Sequence, residues 1–367
     1  MPNRFPFNKK QVFLLGLVFV LLFIFSDIQM KKIIEENEGK NLLEGNLIFP
    51  FKKQSMSITV EKEPRFLDGI LVPKKEKNFL PIAAMIDNFP QARPANSLEK
   101  ASVVYEAPVE AGITRFLAIF DSNSLPDKIG PIRSARPYFA DWAEEYRSLF
   151  IHAGGSPEVI KKLKQNYYQV YNLDDLSQAS IYFERDQSKI APFNLFISRE
   201  KVIGFLDDRK IVNQGNFDPW LFLKLTSSEQ SEHIRTPRIN LTNGNQPTEV
   251  KTSQIKINFK EPVIWQYDLE TNSYLRIQQD NNKVGVKNLL IQITDISVID
   301  EVGRRQIRTE GKGEAIIFQN GETISGYWQK LTKNQRTRFY SLDGQEIRFN
   351  PGLLWIEVVG GRSWIEF

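Results

Sequence analysis

Two arginines stand three residues apart in the segment 129–136, Ile-Gly-Pro-Ile-Arg-Ser-Ala-Arg. This segment leads into residues 137–150, where apolar residues recur at helical spacing. The amino end of a helix carries positive partial charge, so Arg133 and Arg136 are unfavourably placed there unless an anion lies nearby. Guanidinium groups and free backbone N–H groups both bind phosphate and carboxylate. The segment therefore predicts an anion site that includes Arg133, Ser134 and Arg136.

Other polar residues collect where predicted strands end. If the sheet is largely parallel, the carboxyl ends of its strands meet at one edge. We therefore expect these residues to share a pocket with the arginines. The Gly-Gly turn before Ser156 offers a second helix amino end to an anion. The residues at the predicted strand ends are Asp87, Asn88, Glu106, His152, Gly154 and Gly155.

The same region also permits catalysis. His152 with Asp87 as its orienting carboxylate is a candidate general-base dyad for acyl or phosphoryl chemistry. Asp87, Glu106 and Glu110 are candidates for a paired acid and base acting on a glycan. A strand-end histidine satisfied by a backbone group is the alternative without catalysis. Nucleophile-elbow, phosphate-loop and paired-histidine motifs do not occur in the chain, so we expect no metal site and no cofactor.

The charged residues have a structural interpretation as well. Arg133 and Arg136 would brace the fold if they form salt bridges with Glu106 or Glu110. Arg115 lies in a predicted strand of apolar residues, where an uncompensated buried charge costs several kcal/mol. It therefore needs a partner, and the same two glutamates are the candidates.

A predicted α/β domain, residues 79–225, would position these residues. In it, strands alternate with helices. The apolar run 79–86 is typical of a strand buried on both faces. Helices are expected from Pro137 to Ser148 and after Ser156 and Ser198, with the two serines as N-caps.

A second domain is predicted after a linker. Residues 226–248 are rich in Ser, Glu, Asn, Thr and Pro, which is typical of a linker. In residues 249–367 apolar side chains alternate with period two and turns such as Asn320-Gly321 recur, which predicts a smaller all-β domain. Trp328, Trp355 and Trp364 are either core residues of this domain or a carbohydrate or partner surface.

The first 30 residues predict export. Basic residues precede an apolar run from Val12 to Phe25, and a membrane span needs roughly 20 such residues. No small-residue cleavage site follows, so we expect an uncleaved signal anchor with a single pass and the bulk of the chain outside the cytoplasm. The chain would be secreted if the signal is cleaved. Residues 31–78 are charged in both signs and are expected to be a tether.

Composition excludes several classes of protein. The chain has 367 residues, 41% of them hydrophobic, which is enough for two cores. Its 48 basic and 44 acidic residues are well mixed, so nucleic acid is not an expected partner. The absence of cysteine excludes disulfides, thiolate metal sites and a lipid-modified amino-terminal cysteine.

Taken together, several motifs resemble the YerB-like family of bacterial envelope lipoproteins. The resemblance implies a two-domain extracytoplasmic protein held at the membrane, of undefined biochemical activity. Because this chain lacks the modified cysteine of many relatives, we infer anchoring by the run from Val12 to Phe25. The motifs are Met85-Ile86-Asp87-Asn88, Ala92-Arg93-Pro94, Val104-Tyr105-Glu106, Glu110-Ala111-Gly112-Ile113-Thr114-Arg115-Phe116, the segment 129–136, and Asn350-Pro351-Gly352-Leu353-Leu354-Trp355-Ile356.

Three hypotheses follow for the function. The first is a membrane-tethered extracytoplasmic binding protein that holds an anionic cell-envelope ligand, with the β domain contacting a protein partner. The second is an envelope hydrolase or transferase that uses His152 with Asp87, Glu106 or Glu110. The third is a structural scaffold. The ligand candidates under the first hypothesis are Asn88, Arg115, Arg133, Ser134, Arg136, Gly154 and Gly155.

Overall fold

The apolar run near residue 80 folds as a strand that is covered on both sides. The computed structural model describes residues 61–177, 180–224, 254–277 and 284–367, all within one compact unit, Val60–Phe367. Every residue of the strand Pro81–Asp87 is buried. Because side chains alternate across a strand, Ile82 and Ala84 enter one core while Ala83 and Met85 enter another.

The amino-terminal part, residues 61–224, contains eleven of the described strands and three α-helices. The first helix ends earlier than predicted, because Arg147 adopts a left-handed φ of 47° and the Ser148 hydroxyl donates to the Ala143 carbonyl. The strands are β1 (Lys62–Pro64), β2 (Leu71–Pro73), β3 (Pro81–Asp87), β4 (Val103–Pro108), β5 (Thr114–Asp121), β6 (Lys128–Ile129), β7 (Leu149–His152), β8 (Tyr171–Asp174), β9 (Glu184–Arg185), β10 (Leu195–Ser198) and β11 (Leu221–Phe222). The helices are α1 (Pro137–Glu144), α2 (Pro157–Lys164) and α3 (Arg199–Asp208).

The carboxyl-terminal part, residues 254–367, contains strands and no α-helix among its described residues. Trp328 and Trp355 are fully buried, and the Trp328 indole donates to the Ile293 carbonyl, which supports the core interpretation of these two tryptophans. The strands are β12 (Gln254–Ile257), β13 (Val263–Asp268), β14 (Ser273–Ile277), β15 (Val284–Val286), β16 (Asn288–Ile293), β17 (Ile296–Val298), β18 (Arg305–Ile307), β19 (Gly311–Gln319), β20 (Glu322–Lys330), β21 (Arg338–Ser341), β22 (Arg348–Phe349), β23 (Leu354–Val359) and β24 (Ile365–Glu366).

One ten-stranded sheet runs through both parts, in the order β21-β20-β19-β16-β23-β4-β5-β3-β7-β8. The two parts meet where β23 pairs with β4 in parallel, Leu354 opposite Val103. The sheet is mixed, since β5 is antiparallel to both β3 and β4 while β7 and β8 are parallel to β3. The connection between β4 and β5 is too short for a crossover helix, and a short connection joins antiparallel strands.

The predicted α/β class of the amino-terminal domain is therefore only partly correct, because strands and helices do not alternate regularly along the chain. This domain is a mixed sheet with few helices, whereas the all-β character of the carboxyl-terminal domain is confirmed. The common edge expected from sequence is present, because β3, β4, β7 and β8 run in one direction. Their carboxyl ends, and the start of β5, therefore lie at the same edge of the sheet.

Separate layers cover the two faces of the large sheet. On one face α1 and α2 contribute Tyr138, Trp142 and Val159 to the core. On the other face lie α3 and residues such as Ile255 and Trp265 of a five-stranded sheet, ordered β15-β14-β13-β12-β24. The arrangement explains why the central strands read as continuous apolar runs.

Two fully buried ion pairs also join the two parts. Glu106 of β4 accepts from the guanidinium group of Arg276 on β14, with a contact of 2.9 Å. Glu145, directly after α1, accepts from Lys330 on β20 at 2.9 Å, and both side chains are completely inaccessible to solvent. The two domains therefore share buried charges as well as a sheet.

Some segment predictions lie outside the described residues. These are the signal segment 1–30 with its run from Val12 to Phe25, the tether up to residue 60, and the linker 226–248. The described end of the tether is folded, because β1 and β2 pair as a hairpin and Leu67 is buried. In the part of the chain that the structure describes, no helix has the length and apolar character that a membrane crossing requires.

A buried acid at the end of β5 gives a pH-dependent prediction. Burial raises the pKa of Asp121 to about 6, against the opposing charge of Arg65. The folded state thus keeps a proton that the unfolded state has lost between about pH 4 and pH 6, so Asp121 lowers stability as pH rises through this window, by up to about 3 kcal/mol. Asp121→Asn removes that loss and keeps an acceptor for the Asn123 N–H.

Urea unfolding at pH 4 to 8 measures this effect. The free energy of unfolding of Asp121→Asn relative to the parent chain should rise from pH 4 to about pH 6 and then level off. Asp127→Asn, at a side chain that is 97% exposed, is the matched control and should give a flat difference. A flat difference for Asp121→Asn would contradict the prediction.

Candidate functional site

The segment 129–136 is held beside β3 and β7 by backbone hydrogen bonds. The Arg133 N–H donates to the Met85 carbonyl, and the Asp87 N–H donates to the Pro131 carbonyl. The Ala153 N–H in turn donates to the Arg133 carbonyl. The segment therefore behaves as a short extension of the sheet, and its two arginines are fixed at the edge where β3 and β7 end.

At this edge lies a hollow of about 430 Å³, which we call the arginine pocket. Its walls come from the end of β3, the turn between β4 and β5 with the start of β5, the segment 129–136, the turn between β7 and α2, the loop before β10, and the turn between β17 and β18. Seven of the residues predicted from sequence line it together. The lining residues are Asp87, Phe89, Glu110, Ala111, Ile113, Arg115, Arg133, Ser134, Arg136, Gly155, Ser156, Phe193, Val302 and Arg304.

Two of the three pocket arginines that were predicted from sequence pair with carboxylates. Arg136 makes a two-point contact with Glu110 at 2.6 and 2.7 Å. Burial opposes ionisation of Glu110, but the hydrogen bond and charge of Arg136 lower its pKa. Arg133 Nε lies 2.8 Å from Asp87 Oδ2, yet neither atom makes a directed hydrogen bond. The structural interpretation is therefore correct for Arg136 with Glu110, whereas the partner of Arg133 is Asp87.

Arg115 differs from its neighbours. Its side chain is buried, with 4% of the residue exposed, and it donates to the Ser134 carbonyl at 2.7 Å. Its Nε has no hydrogen-bond partner, and within the described ranges no carboxylate lies at ion-pair distance from it. The predicted pairing with Glu106 or Glu110 is wrong, because those acids are engaged by Arg276 and Arg136.

The charge of Arg115 is retained at neutral pH. Burial and the nearby charges of Arg136 and Arg133 lower the pKa of Arg115 to about 10, against the raising effect of Asp87. That value is still far above 7, so the group remains a cation. An uncompensated buried cation is unfavourable, and an anion entering the pocket would offset this cost.

The start of α2 adds a second polar group without a partner. Ser156 occupies the N-cap position as predicted, but its side chain makes no capping hydrogen bond. Its Oγ is buried and has no hydrogen-bond partner. Gly155 precedes it and pairs with Ala135, and a Cβ at Gly155 would lie 2.7 Å from a methyl group of Val159. The glycine thus lets the segment 129–136 approach α2, which brings Ser156 to the pocket.

His152 does not belong to this pocket. It is fully buried, its Nδ1 donates to the Gly154 carbonyl at 2.8 Å, and its Nε2 lies 2.7 Å from the Asn172 side-chain oxygen. The predicted dyad of His152 with Asp87 is therefore wrong, because both ring nitrogens are occupied by other groups. Across the described residues, no three histidine or acidic side chains are grouped to hold a metal ion.

Three further candidate site residues make hydrogen bonds within the fold and not in the pocket. Glu106 is fully buried and accepts from Arg276, Asn88 and Thr114, so it is not available as a catalytic acid or base. Asn88 is held in the same network and does not line the pocket. Gly154 has a left-handed φ of 61°, and its N–H donates to the Asp174 carboxylate. The predictions of Glu106 as catalytic and of Asn88 and Gly154 as ligand contacts are not supported.

Comparison with known proteins places the chain in a family. The model described as the DUF3048 (protein of unknown function) N-terminal domain matches residues 67–212, and the DUF3048 C-terminal domain model matches residues 254–356. "Putative lipoprotein YerB" of Bacillus subtilis (strain 168) is 29% identical over 309 residues, which cover 84% of this chain and 89% of the relative. The chain belongs to the YerB-like family.

A solved structure of a YerB-like protein agrees with this assignment. The crystal structure of the YerB protein from Bacillus subtilis is similar with a TM-score of 0.69 and 26% identity, covering 83% of this chain and 99% of that one. In this YerB-like chain, both matched domains contribute to the arginine pocket, since Val302 and Arg304 come from the carboxyl-terminal domain.

The carboxyl-terminal contribution was not expected from sequence. Arg304 is paired with Asp300 at 2.9 Å, and Val302 is exposed. Phe193, also not predicted, stacks on Phe89 and lies 5.7 Å from the Arg133 guanidinium. The signal that was present is the pair Arg304-Arg305 after a glycine, within a domain that otherwise alternates polar and apolar residues.

Proposed function

We propose that this protein is an envelope-associated binding protein whose arginine pocket holds an anionic group, phosphate or carboxylate. The observation that carries the proposal is Arg115, a buried cation in a pocket, with no acidic partner in the described part of the chain. Arg133 and Arg136 add positive charge around it, and Ser156 Oγ is an unused donor. Among the described lining residues four arginines face two acids, so the pocket favours an anion.

The envelope location rests on different support. The Bacillus subtilis relative carries the word lipoprotein in its name, and the present chain begins with basic residues and an apolar run from Val12 to Phe25. Because the chain has no cysteine, that run would be the anchor in place of a lipid. The ligand would then reach the pocket from outside the cytoplasm.

Replacement of Arg115 tests the binding proposal. Inorganic phosphate should raise the melting temperature of the full chain in detergent, at an ionic strength held constant with chloride; at a hundred times its Kd, a ligand adds about 2.7 kcal/mol of stability. Arg115→Met should abolish this rise. In the absence of phosphate the same variant should be as stable as the parent or more stable, because it removes an uncompensated buried charge.

An exposed arginine outside the pocket provides the control for this test. Arg348→Gln removes an exposed arginine outside the pocket and should keep the full response to phosphate. Citrate serves as the carboxylate probe in the same assay. The proposal fails if Arg115→Met responds to both anions like the parent chain, or if neither anion stabilises the parent.

Arg133 and Arg136 are less suitable for this test. Each pairs with an acid, so their replacement leaves Asp87 or Glu110 without a partner and lowers stability whether or not a ligand binds. A loss of stability at these positions therefore does not distinguish a scaffold from a binding protein, whereas Arg115 does.

A further inference from the structure

The arginine pocket is one end of a longer groove. A second hollow of about 200 Å³ shares Arg136, Ser156 and Arg304 with it. A third hollow of about 350 Å³ shares Pro137, Ile299 and Arg305 with the second. The three hollows therefore form one continuous depression, the hairpin groove, between the starts of α1 and α2 on one side and the β17–β18 hairpin on the other.

Among the described residues of the hairpin groove, two arginines have no acid at ion-pair distance. The first is Arg115, described above. The second is Arg305, which lines the second and third hollows. Its Nε is buried without a hydrogen-bond partner, and no acid of the described chain forms an ion pair with it. At the far end, Lys162 and Arg308 are balanced by acids such as Glu158 and Asp295.

The second hollow is partly apolar, and its two acids, Glu158 and Asp300, are paired with Lys162 and Arg304. Pro137 and Ile299 line the second and third hollows, and Ile299 is half exposed on the hairpin. Such a surface favours contact with carbon atoms over contact with a third charge. Arg115 lines only the first hollow, whereas Arg305 lines the second and third together with Pro137 and Ile299, so the two cations lie in different hollows of the groove.

We infer that the ligand is an extended molecule with at least two anionic groups joined by an uncharged spacer. One anionic group lies against Arg115 and Ser156, the spacer lies along Pro137 and Ile299, and the second anionic group lies against Arg305. This inference rests on the proposed function, because it assigns the first anionic group to the same pocket. Phosphate is one of the two groups that guanidinium forks bind through paired hydrogen bonds, and it provides the probe for the test.

Paired phosphate probes test the inference with the full chain in detergent. Alkanediol bisphosphates of increasing spacer length are compared by calorimetry with monoalkyl phosphates of the same carbon number. At one spacer length the bisphosphate should bind at least about tenfold more tightly, more than the twofold statistical gain from two equivalent ends. Arg305→Gln should remove this gain and leave the affinity for the monoalkyl phosphate unchanged, and Arg348→Gln should alter neither.

These measurements distinguish failure of the two-anion ligand from failure of the proposed function. If no spacer length exceeds the monoalkyl phosphate, or if Arg305→Gln weakens both probes equally, the two-anion ligand is wrong while the pocket remains. If Arg115→Met leaves the monoalkyl phosphate affinity unchanged, the proposed function itself is wrong. Thermal unfolding of Arg305→Gln should match that of the parent, since the side chain has no ion pair to lose.

Discussion

Replacing Glu106 with glutamine is expected to destabilise the protein by about 3–5 kcal/mol. The carboxylate of Glu106 lies in the centre of the ten-stranded sheet and receives hydrogen bonds from Arg276, Asn88 and Thr114. The glutamine removes the negative charge while Arg276 stays buried on the neighbouring layer, with 5% of its side chain exposed. The buried cation then loses the counter-charge of Glu106, which is the costly change. Urea unfolding at neutral pH measures the loss, with an unchanged m-value if the unfolding remains cooperative.

Glu357 provides the matched control, since it lies opposite Glu106 on the adjacent strand β23. Burial raises the pKa of Glu357 well above its ordinary range, and the charge of Glu106 raises it further. It is therefore protonated where an exposed glutamate has ionised. Glu357→Gln replaces one neutral group with another and keeps an acceptor for the Trp265 indole N–H, so it should cost only about 1 kcal/mol.

The pH dependence of the two variants separates the two acids further. A raised pKa means that the folded state holds a proton which the unfolded state loses above about pH 4.5, so wild-type stability falls by up to about 1.4 kcal/mol per pH unit in that window. Glu357→Gln should therefore improve relative to the parent as pH rises from 5 to 7. Equal destabilisation by the two glutamines at pH 7 would show that the charge is shared between the two acids.

The surroundings of Glu106 and Glu357 could be predicted from sequence only in part. The strands around both residues could be predicted, because runs such as 79–86 and 353–359 are apolar and bounded by turns. The pairing of β4 with β23 could not, since it joins residues about 250 positions apart and no local pattern specifies which strand edges meet. Glu106 thus appeared to be a candidate acid at a strand end, whereas its partner Arg276 lies in the other domain.

The positions of several candidate residues were predicted better than their side-chain partners. The segment 129–136 placed Arg133 and Arg136 correctly at a helix start, and the common edge of β3 and β7 brought Asp87 and Gly155 to the same pocket. What failed was the assignment of partners. An acidic partner was predicted for Arg115, and Asp87 was predicted as the partner of His152. Side-chain pairing depends on differences of a few tenths of an ångström in distance, which cannot be derived from residue types alone.

The second large effect is expected at Lys330. Lys330→Met should cost about 3–5 kcal/mol, because the buried Glu145 would lose its counter-charge and keep, among the described residues, the N–H and hydroxyl of Thr337 as donors. Lys256→Met is the control: Lys256 pairs with Glu366 at 3.0 Å, and 38% and 59% of the two side chains are exposed, so its loss should cost about 1 kcal/mol or less. Urea unfolding of the two variants gives the comparison.

A double replacement then identifies the cause of the loss. If the uncompensated charge of Glu145 is responsible, Lys330→Met combined with Glu145→Gln should recover about 2 kcal/mol relative to the sum of the two single variants. Strict additivity of the single effects would instead assign the loss to packing of the lysine stem against α1.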